Sequence, residues 1–300
     1  MPVNQQILAE AKRFIQRHER PGRRALSSCA TVIRDTNLLI RRTARKVQNR
    51  LDRRIARKRD GAYFPAIIAR HQSVLLRKLG DSDMRLQQNK VTNLRTAIAP
   101  LDGLVIPAGG VFSLWDAIGE PSKKRGFIEG MLLANGRVVE GVGGGLCQLS
   151  NFLFWIFLHA DVKIVERHHH SLDVFPDSGR VLPFGSGATI FFNFLDLKMK
   201  NVSKHPLQLK MWLTDTHLKG QLRSTVPGEK KFHVYEKHHI FIKRGEKYFR
   251  YNQLWRQTKK DGHIVVDEHV LTNFAPVLYK VTHASLKNNG HELIDLTKAF

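Results

Sequence analysis

The spacing of apolar residues divides the chain into a helical first part and a longer part that is rich in predicted strands. Apolar side chains recur at helical spacing over residues 4–19 and again over residues 27–59, and Pro21-Gly22 separates the two segments. Arginine and lysine fill the other face of the second segment. This pattern predicts a basic amphipathic helix that either docks on the main domain or lies on a membrane surface.

After this part the apolar period shortens and turn residues become frequent. We predict a helix over residues 89–99, a hairpin at Asn135-Gly136 and an apolar helix over residues 146–160. Alternating apolar residues predict strands on both sides of the apolar helix and beyond Pro206. The predicted strands cover residues 105–106, 111–113, 162–166, 188–199, 207–213, 218–222, 232–235, 240–242, 248–251 and 264–266.

The fold class that follows from this order of elements is α+β. We expect a basic helical N-terminal extension over residues 1–60. A core domain is predicted over residues 61–225, in which a glycine loop and a cysteine-bearing helix pack on a mostly antiparallel β-sheet. A β-rich C-terminal part, residues 226–300, should pack on that core.

The charge of the chain is strongly positive and unevenly distributed. The 300 residues carry a formal net charge of +23, and residues 1–60 contain seventeen Lys and Arg against five Asp and Glu. Such a balance favours anionic partners. We expect residues 1–60 either to contact an anionic envelope component or a membrane surface, or to form only a solvated helix pair. Nucleic acid is disfavoured, because the sequence shows no nucleic-acid motif and no aromatic residues interleaved with the basic helices.

The cysteine content and the apolar runs bear on the compartment. The two cysteines, Cys29 and Cys147, lie far apart in different contexts, which is typical of free thiols in a reducing compartment. The first residues lack the apolar segment of a secretory signal, and no apolar run reaches the roughly eighteen residues of a spanning helix. These features predict a cytoplasmic protein, either soluble or peripheral at the inner face of the membrane.

The stretch that most suggests chemistry runs from Gly141 to Asn151. Glycines at positions 141, 143, 144 and 145 allow positive φ and close approach of the backbone to another group. They lead into Cys147 at the predicted start of the apolar helix, where unpaired N–H groups and the helix dipole lower a thiol pKa and can stabilise an oxyanion. We therefore predict that Cys147 is a nucleophile. The substrate contacts predicted around it are Gly143, Gly144, Gly145, Gln148 and Asn151.

A histidine cluster at residues 168–170 follows the apolar helix and supplies candidate bases. Alternate residues of an extended segment share a face, so His168 and His170 are expected to point together. His168 and the neighbouring Ser171 are also candidate substrate contacts. The acids that could orient the base are Asp173, Asp177 and Asp196. Asp196 lies in an apolar strand pattern, where a carboxylate is unexpected unless it has a specific role.

Other uses of these residues stay open. A single cysteine in an apolar helix is more often an inert core residue than a nucleophile. A zinc site from Cys147, His168 and His170 matches no standard ligand spacing. The glycine loop lacks the lysine and the complete glycine pattern of nucleotide-binding loops. We therefore predict no metal and no organic cofactor.

Several separated motifs surround the glycine loop in a fixed order. The central one is Gly143-Gly144-Gly145-Leu146-Cys147-Gln148-Leu149. The others are residues 71–73, 89–95, 107–115, 125–127, 166–167, 170–171, 173–178, 182–189, 195–198, 200–201 and 212–218. Together they resemble the VanW family, which is named for a protein of a vancomycin-resistance gene cluster. The resemblance extends over roughly residues 62–240 and does not include the basic N-terminal helices.

The resemblance narrows the candidate residues. Among the three histidines, the family motif selects His170, which Ser171 follows. Many family members carry Gly-Arg-Asp-Ala-Thr where this chain has Gly185-Ser186-Gly187-Ala188-Thr189, so an acid able to complete a triad is absent there. This moves the predicted third member to Asp173 or Asp196. The association of the family with glycopeptide resistance implies a cell-envelope or peptidoglycan-precursor context.

Two hypotheses about function follow. The first is a cysteine-dependent acyl-transfer or amide-hydrolysing enzyme acting on a cell-envelope or peptidoglycan-related substrate. Cys147 would be the nucleophile, His170 the base, and the backbone of residues 144–147 the oxyanion donor. The second is a non-enzymatic binding module for an anionic envelope component or a membrane surface, with the glycine loop as the binding cradle.

Overall fold

The computed structural model describes residues 5–19, 28–76, 84–134, 137–174, 176, 181–288 and 290–297. Within them the helices are α1 Gln5–Glu19, α2 Ser28–Leu51, α3 Met84–Ile98, α4 Leu114–Ile118, α5 Cys147–Leu158 and α6 His283–Asn288. The strands are β1 Ala66–Val74, β2 Val105–Ile106, β3 Val111–Ser113, β4 Glu129–Ala134, β5 Arg137–Val142, β6 Val162–Glu166, β7 Lys198–Asn201, β8 Leu207–Leu213, β9 His217–Ser224, β10 Lys230–Arg244, β11 Lys247–Lys260, β12 His263–Pro276 and β13 Glu292–Asp295. These elements confirm the α+β class.

In the described residues the strands form four sheets. The main-body sheet has the order β1-β9-β8-β2, and the C-terminal sheet has the order β12-β11-β10-β13. A smaller sheet, β3-β7-β6, and the hairpin β4-β5 complete the set. The pairings between these described strands are antiparallel except for that of β10 with β13. The predicted boundaries of an N-terminal extension, a core domain and a C-terminal part stay a prediction.

Helix α5 lies at the centre of the main core. Leu149, Leu153, Phe154 and Phe157 are fully buried, and the helix packs on the main-body sheet through β1 and β9. A helix that is apolar nearly all round must be enclosed by other elements. Its first turn is the exception, because Cys147 there is only partly buried. The fold therefore presents the start of α5 at the edge of the core.

Helix α1 docks on the C-terminal sheet. Ile7, Ala11 and Ile15 recur on one face, and they are buried in a second core with residues of β10, β11 and β12. The ring of Phe14 stacks on that of Phe274 at 5.1 Å between centroids. The apolar stripe of α1 is thus buried against the C-terminal sheet, so this helix packs as part of the folded protein.

Helix α2 is shorter than predicted, because it ends at Leu51 and not near residue 59. The chain then runs beside β3, where the N–H of Ala56 donates to the Val111 oxygen at 2.8 Å and the Val111 N–H donates to the Arg54 oxygen at 2.8 Å. Ile55 and Ala56 are buried by this pairing.

Helix α2 rests on the body through polar side chains. The Arg45 guanidinium is 2.6 Å from the Glu166 carboxylate, and the Lys198 ammonium donates to the side-chain oxygen of buried Asn49 at 2.7 Å. Docking of α2 is therefore electrostatic in character. Within the described ranges, no helix combines the length and the apolar character needed to cross a bilayer.

The segment predicted as a strand over residues 188–194 is a loop. It makes isolated bridges at Thr189 and Phe191 and turns at Asn193, which has φ of 49°. The prediction was wrong because the N–H groups of this segment donate to side chains and to another loop, where a strand would need a regular partner. The predicted turn at Asn135-Gly136 lies outside the described residues, although β4 and β5 pair on either side of it.

Candidate functional site

The glycine loop is tightly packed against the β4–β5 hairpin. Gly143 and Gly145 have φ of 78° and 91°, in the region that favours glycine. Gly144 lies so close to Gly130 that a Cβ on Gly144 would overlap the Gly130 carbonyl group. The buried side chain of Asn93 donates to the Gly144 oxygen at 2.9 Å. The glycines are therefore required by the fold itself.

Two of the predicted oxyanion donors are engaged within this loop. The Gly144 N–H donates to a carbonyl oxygen of β5 at 3.0 Å, and the Gly145 N–H donates to the Met131 oxygen at 2.8 Å. An oxyanion bound at this point would have to use the next two N–H groups, those of Leu146 and Cys147. Residue 146 precedes α5 as its N-cap, so these groups belong to the unpaired first turn.

Cys147 is a free thiol at the first position of α5. Burial raises the pKa of this thiol, while backbone N–H groups of Ile190 and of Cys147 itself act in the opposite direction. The expected lowering of the thiol pKa is therefore wrong, because the effect of burial on the pKa outweighs that of the two N–H donors. At neutral pH the group is a thiol, and it needs a base to become a nucleophile.

His170 lies beside the first turns of α5. Its Nδ1 is 2.9 Å from the Thr189 hydroxyl, and its Nε2 is 3.5 Å from the Asn151 side-chain oxygen. The same Asn151 oxygen accepts from the Ala188 N–H at 2.9 Å. Gly187 makes this possible, because a Cβ on Gly187 would overlap the Asn151 amide. The predicted pair Asn151 and His170 is thus brought together at the end of α5 that carries Cys147.

Asp196 is fully buried, and its contacts explain a carboxylate in an apolar segment. It accepts from the Ser113 hydroxyl at 2.6 Å and from the N–H groups of Trp115 and Leu197 at 3.1 and 2.8 Å. Ser113 is the N-cap of α4, so Asp196 supports the start of that short helix. Within the described residues, the hydrogen-bond partners of the Asp196 carboxylate other than the Leu197 N–H are groups at the start of α4. Its role as third member of a catalytic triad stays a prediction.

Burial raises the pKa of Asp196 to about 6, against the hydrogen bonds of Ser113 and Trp115, which lower it. Between pH 4 and 6 the folded protein then holds a proton that the unfolded chain releases, so the free energy of unfolding falls as pH rises through this window. The expected loss is about 3 kcal/mol. Asp196→Asn cannot ionise and should remove this dependence. Denaturant unfolding at several pH values from 4 to 7 measures the difference between variant and wild type.

The exposed Asp215 provides the matched control, since Asp215→Asn makes the same chemical change outside the core. A difference between the Asp196 variant and the wild type that stays constant across this pH range contradicts the prediction.

Asp173 links the core to the C-terminal sheet. Its carboxylate accepts from the fully buried Arg250 at 3.3 Å and from the Tyr279 hydroxyl at 3.0 Å. The Arg250 Nε also donates to the His239 ring at 2.8 Å. These contacts place Asp173 in an ion-pair network with β10 and β11, and its predicted role as orienting acid stays a prediction.

Gln148 is anchored to the main-body sheet. Its side-chain nitrogen donates to the Ser73 hydroxyl at 2.9 Å and to the Val74 oxygen at 2.7 Å. These bonds join the start of α5 to the end of β1. The predicted substrate contact of Gln148 would have to use its remaining oxygen.

His168 and His170 have different partners, although both were expected to serve one site. The His168 ring nitrogen is 3.1 Å from Glu166, which is the carboxylate that also holds Arg45 of α2. Ser171 is exposed in the loop that follows, and Asp177 lies outside the described residues. The described residues contain no cluster of three or more His, Cys, Asp and Glu side chains able to hold a metal.

Sequence reasoning missed two groups of this site, the Thr189 hydroxyl and the Ile190 N–H. Both lie in the segment predicted as a strand, where alternating apolar residues hid a loop. The signal available was Gly187, just before the predicted strand, since a glycine can mark a place where another group approaches the backbone closely. That group is the Asn151 side chain.

The chain resembles known proteins over its central region. Residues 89–223 match the family model described as VanW like protein. The chain is 38% identical over 140 residues to the vancomycin B-type resistance protein VanW of Enterococcus faecalis, which covers 47% of this chain and 51% of that protein. It is 27% identical over 118 residues to the uncharacterized protein YoaR of Bacillus subtilis, which covers 39% of this chain and 37% of YoaR.

The chain therefore spans about half the length of VanW and over a third of YoaR. No solved structure matches it. The matched region contains the glycine loop, Cys147, Asn151 and His170. Residues 89–223 match the VanW family model, and the 38% identity to VanW over 140 residues supports the same family for this region.

Proposed function

We propose that the chain is a cysteine-dependent acyl-transfer or amide-hydrolysing enzyme in which Cys147 is the nucleophile and His170 the general base. One observation carries this proposal. The Ile190 N–H faces the Cys147 sulfur, and the adjacent Thr189 hydroxyl contacts the His170 ring. Asn151, one turn after Cys147 on the same face of α5, contacts the other ring nitrogen. One short segment and one helix turn thus hold a thiol and an imidazole at the same end of α5.

The raised pKa of Cys147 shapes the proposed reaction. His170 removes the thiol proton as the sulfur attacks an amide carbon, so that a C–S bond forms and the carbonyl oxygen becomes an oxyanion. The N–H groups of Leu146 and Cys147 are the candidate donors to this oxyanion. Collapse of the intermediate breaks the C–N bond, and the leaving amine takes the proton from His170. Water or an acceptor amine then attacks the thioester and frees Cys147.

The proposed substrate is an anionic molecule of the cell envelope, in the peptidoglycan-related class. The net charge of +23 favours an anionic ligand. VanW, to which the chain is 38% identical over 140 residues, is named for vancomycin resistance. We propose that this chain acts in the same context, as a cytoplasmic protein at the inner face of the membrane.

A covalent intermediate tests the proposed reaction directly. Incubation with a peptidoglycan stem peptide, followed by acid quenching and mass spectrometry, should show an acyl adduct on the peptide that contains Cys147, because a thioester is an obligatory intermediate. Cys147→Ala should abolish the adduct, and Cys29→Ala, the matched control, should retain it. An adduct that persists in the Cys147 variant, or its absence from the wild-type protein, contradicts the mechanism.

A non-enzymatic binding module is the second candidate, and one observation favours it. Burial raises the pKa of Cys147, as expected for a structural thiol. Such a module binds the stem peptide in equilibrium dialysis without forming an adduct, and Cys147→Ser keeps the same affinity. The two measurements together separate the candidates.

A further inference from the structure

Helix α2 turns its apolar stripe toward solvent. The exposed fractions of Leu39, Ile40, Val47 and Leu51 are 64%, 59%, 53% and 75%. With 3.6 residues per turn, Ile40, Val47 and Leu51 lie in one line along the helix. The opposite line holds Arg45 and Asn49, the side chains that contact the body. An amphipathic helix normally docks with the apolar face inward, so α2 is inverted.

Basic side chains flank this stripe on both sides. Arg41, Lys46 and Arg50 are exposed next to it on the helix surface. Lys46 and Arg50 line a cleft of about 420 Å³ together with Arg57 and Arg59. The acid of this cleft, Asp116, is paired with Arg57 at 2.9 Å.

A second cleft lies on the other side of the helix. It has a volume of about 270 Å³, and Arg41 and Arg45 line it together with Asn193 and Phe194. The exposed apolar stripe of α2 therefore lies between two basic clefts. This arrangement is complementary to a surface that carries both acyl chains and anionic groups.

We propose that α2 binds the surface of an anionic lipid bilayer. The stripe of Ile40, Val47 and Leu51 enters the boundary between headgroups and acyl chains, and Lys46 and Arg50 contact headgroup phosphates. Helices with a basic face and an apolar face lie in this way at the interface. The contact belongs to α2 and not to all of residues 1–60, because the apolar face of α1 is buried against the C-terminal sheet.

The charge on the flanks favours a bilayer over a second copy of the chain. Two α2 helices paired through their stripes would bring Arg41, Lys46 and Arg50 of each copy together, and like charges oppose such pairing. An anionic surface attracts the same side chains, and each adds about fivefold to the partition coefficient near the surface. The proposal does not depend on the reaction at Cys147.

Vesicle sedimentation with the full chain tests the proposal. The protein should bind vesicles of phosphatidylcholine mixed with phosphatidylglycerol, bind poorly to phosphatidylcholine alone, and dissociate as salt is raised. The double variant Lys46→Gln, Arg50→Gln should lower the partition coefficient by roughly thirtyfold. The double variant Ile40→Asn, Val47→Asn should lower it by more than about tenfold.

The β11–β12 hairpin supplies matched controls. Ile264 and Val266 are similarly exposed apolar residues, and Lys259 and Lys260 are exposed lysines nearby. The pairs Ile264→Asn, Val266→Asn and Lys259→Gln, Lys260→Gln make comparable changes away from α2 and should retain binding. Unchanged thermal unfolding by circular dichroism shows that each variant is folded.

Three outcomes overturn the proposal. One is loss of vesicle binding in the hairpin variants equal to that in the α2 variants, which places the contact at the hairpin. Another is full binding by both α2 variants. The third is that the wild-type protein does not bind anionic vesicles, while the double variant Ile40→Asn, Val47→Asn has a lower mass in sedimentation than the wild type. That result identifies a second copy of the chain as the occupant of the stripe.

Discussion

Gly144→Ala is expected to lower the free energy of unfolding by more than about 3 kcal/mol, or to prevent folding altogether. The new Cβ would overlap the carbonyl group of Gly130 and lie 2.5 Å from the Met131 nitrogen. Both obstacles are backbone in β4, so no side-chain rotation relieves them. The backbone of Gly144 does not require positive φ, and the penalty is therefore steric alone. Denaturant unfolding followed by circular dichroism measures the change.

Two other glycines calibrate this experiment. A Cβ on Gly61 meets nothing within 4 Å, so Gly61→Ala should stay within about 0.5 kcal/mol of the wild type. A Cβ on Gly141 meets only the side chain of Leu132, which can rotate, and Gly141→Ala should fall between the other two. A Gly144 variant as stable as the Gly61 variant would mean that the loop does not pack on Gly130 as described.

The two N-terminal helices show what apolar spacing can and cannot predict. Both carry a stripe at helical period, and both form helices close to the predicted start. The stripe of α1 is buried, whereas that of α2 faces solvent. Spacing along one helix reports that a stripe exists, but the direction it faces depends on partners distant in sequence. For α2 these partners are Glu166 and Lys198, which bind its polar face.

The site shows a similar division. The glycines and the apolar run mark the start of α5 because each residue type has a local physical requirement. The surroundings of Cys147 depend on the loop after residue 187, where backbone N–H groups replace a strand pairing. Asp196 was a reasonable candidate acid, since a buried carboxylate needs partners, but sequence cannot distinguish a catalytic acid from a carboxylate that supports Ser113, the N-cap of α4. The contacts with Ser113 and Trp115 depend on the tertiary structure, and the sequence does not reveal them.

His170→Ala is expected to slow acylation of Cys147 by about 10² to 10⁴ at pH 7, the usual range for loss of a general base. The test uses p-nitrophenyl acetate in single-turnover conditions, and the measured quantity is the rate of nitrophenolate release. Burial raises the pKa of the Cys147 thiol, so without a base the rate of acylation in the variant depends on ionisation of the thiol in solvent. Its rate should therefore keep rising with pH, and its deficit against the wild type should narrow in alkaline solution.

The neighbours of His170 show whether this effect belongs to the base itself. His169 is exposed and adjacent in the chain, so His169→Ala controls for the removal of an imidazole and should leave the rate unchanged. Thr189 is a positioning residue, since its hydroxyl is 2.9 Å from the His170 Nδ1. Thr189→Val should slow acylation about tenfold without changing the shape of the pH profile, and Thr189→Ser should restore it. If the deficit of His170→Ala is instead the same at every pH, the histidine acts only in packing, because a missing base is least costly where the thiol ionises unaided.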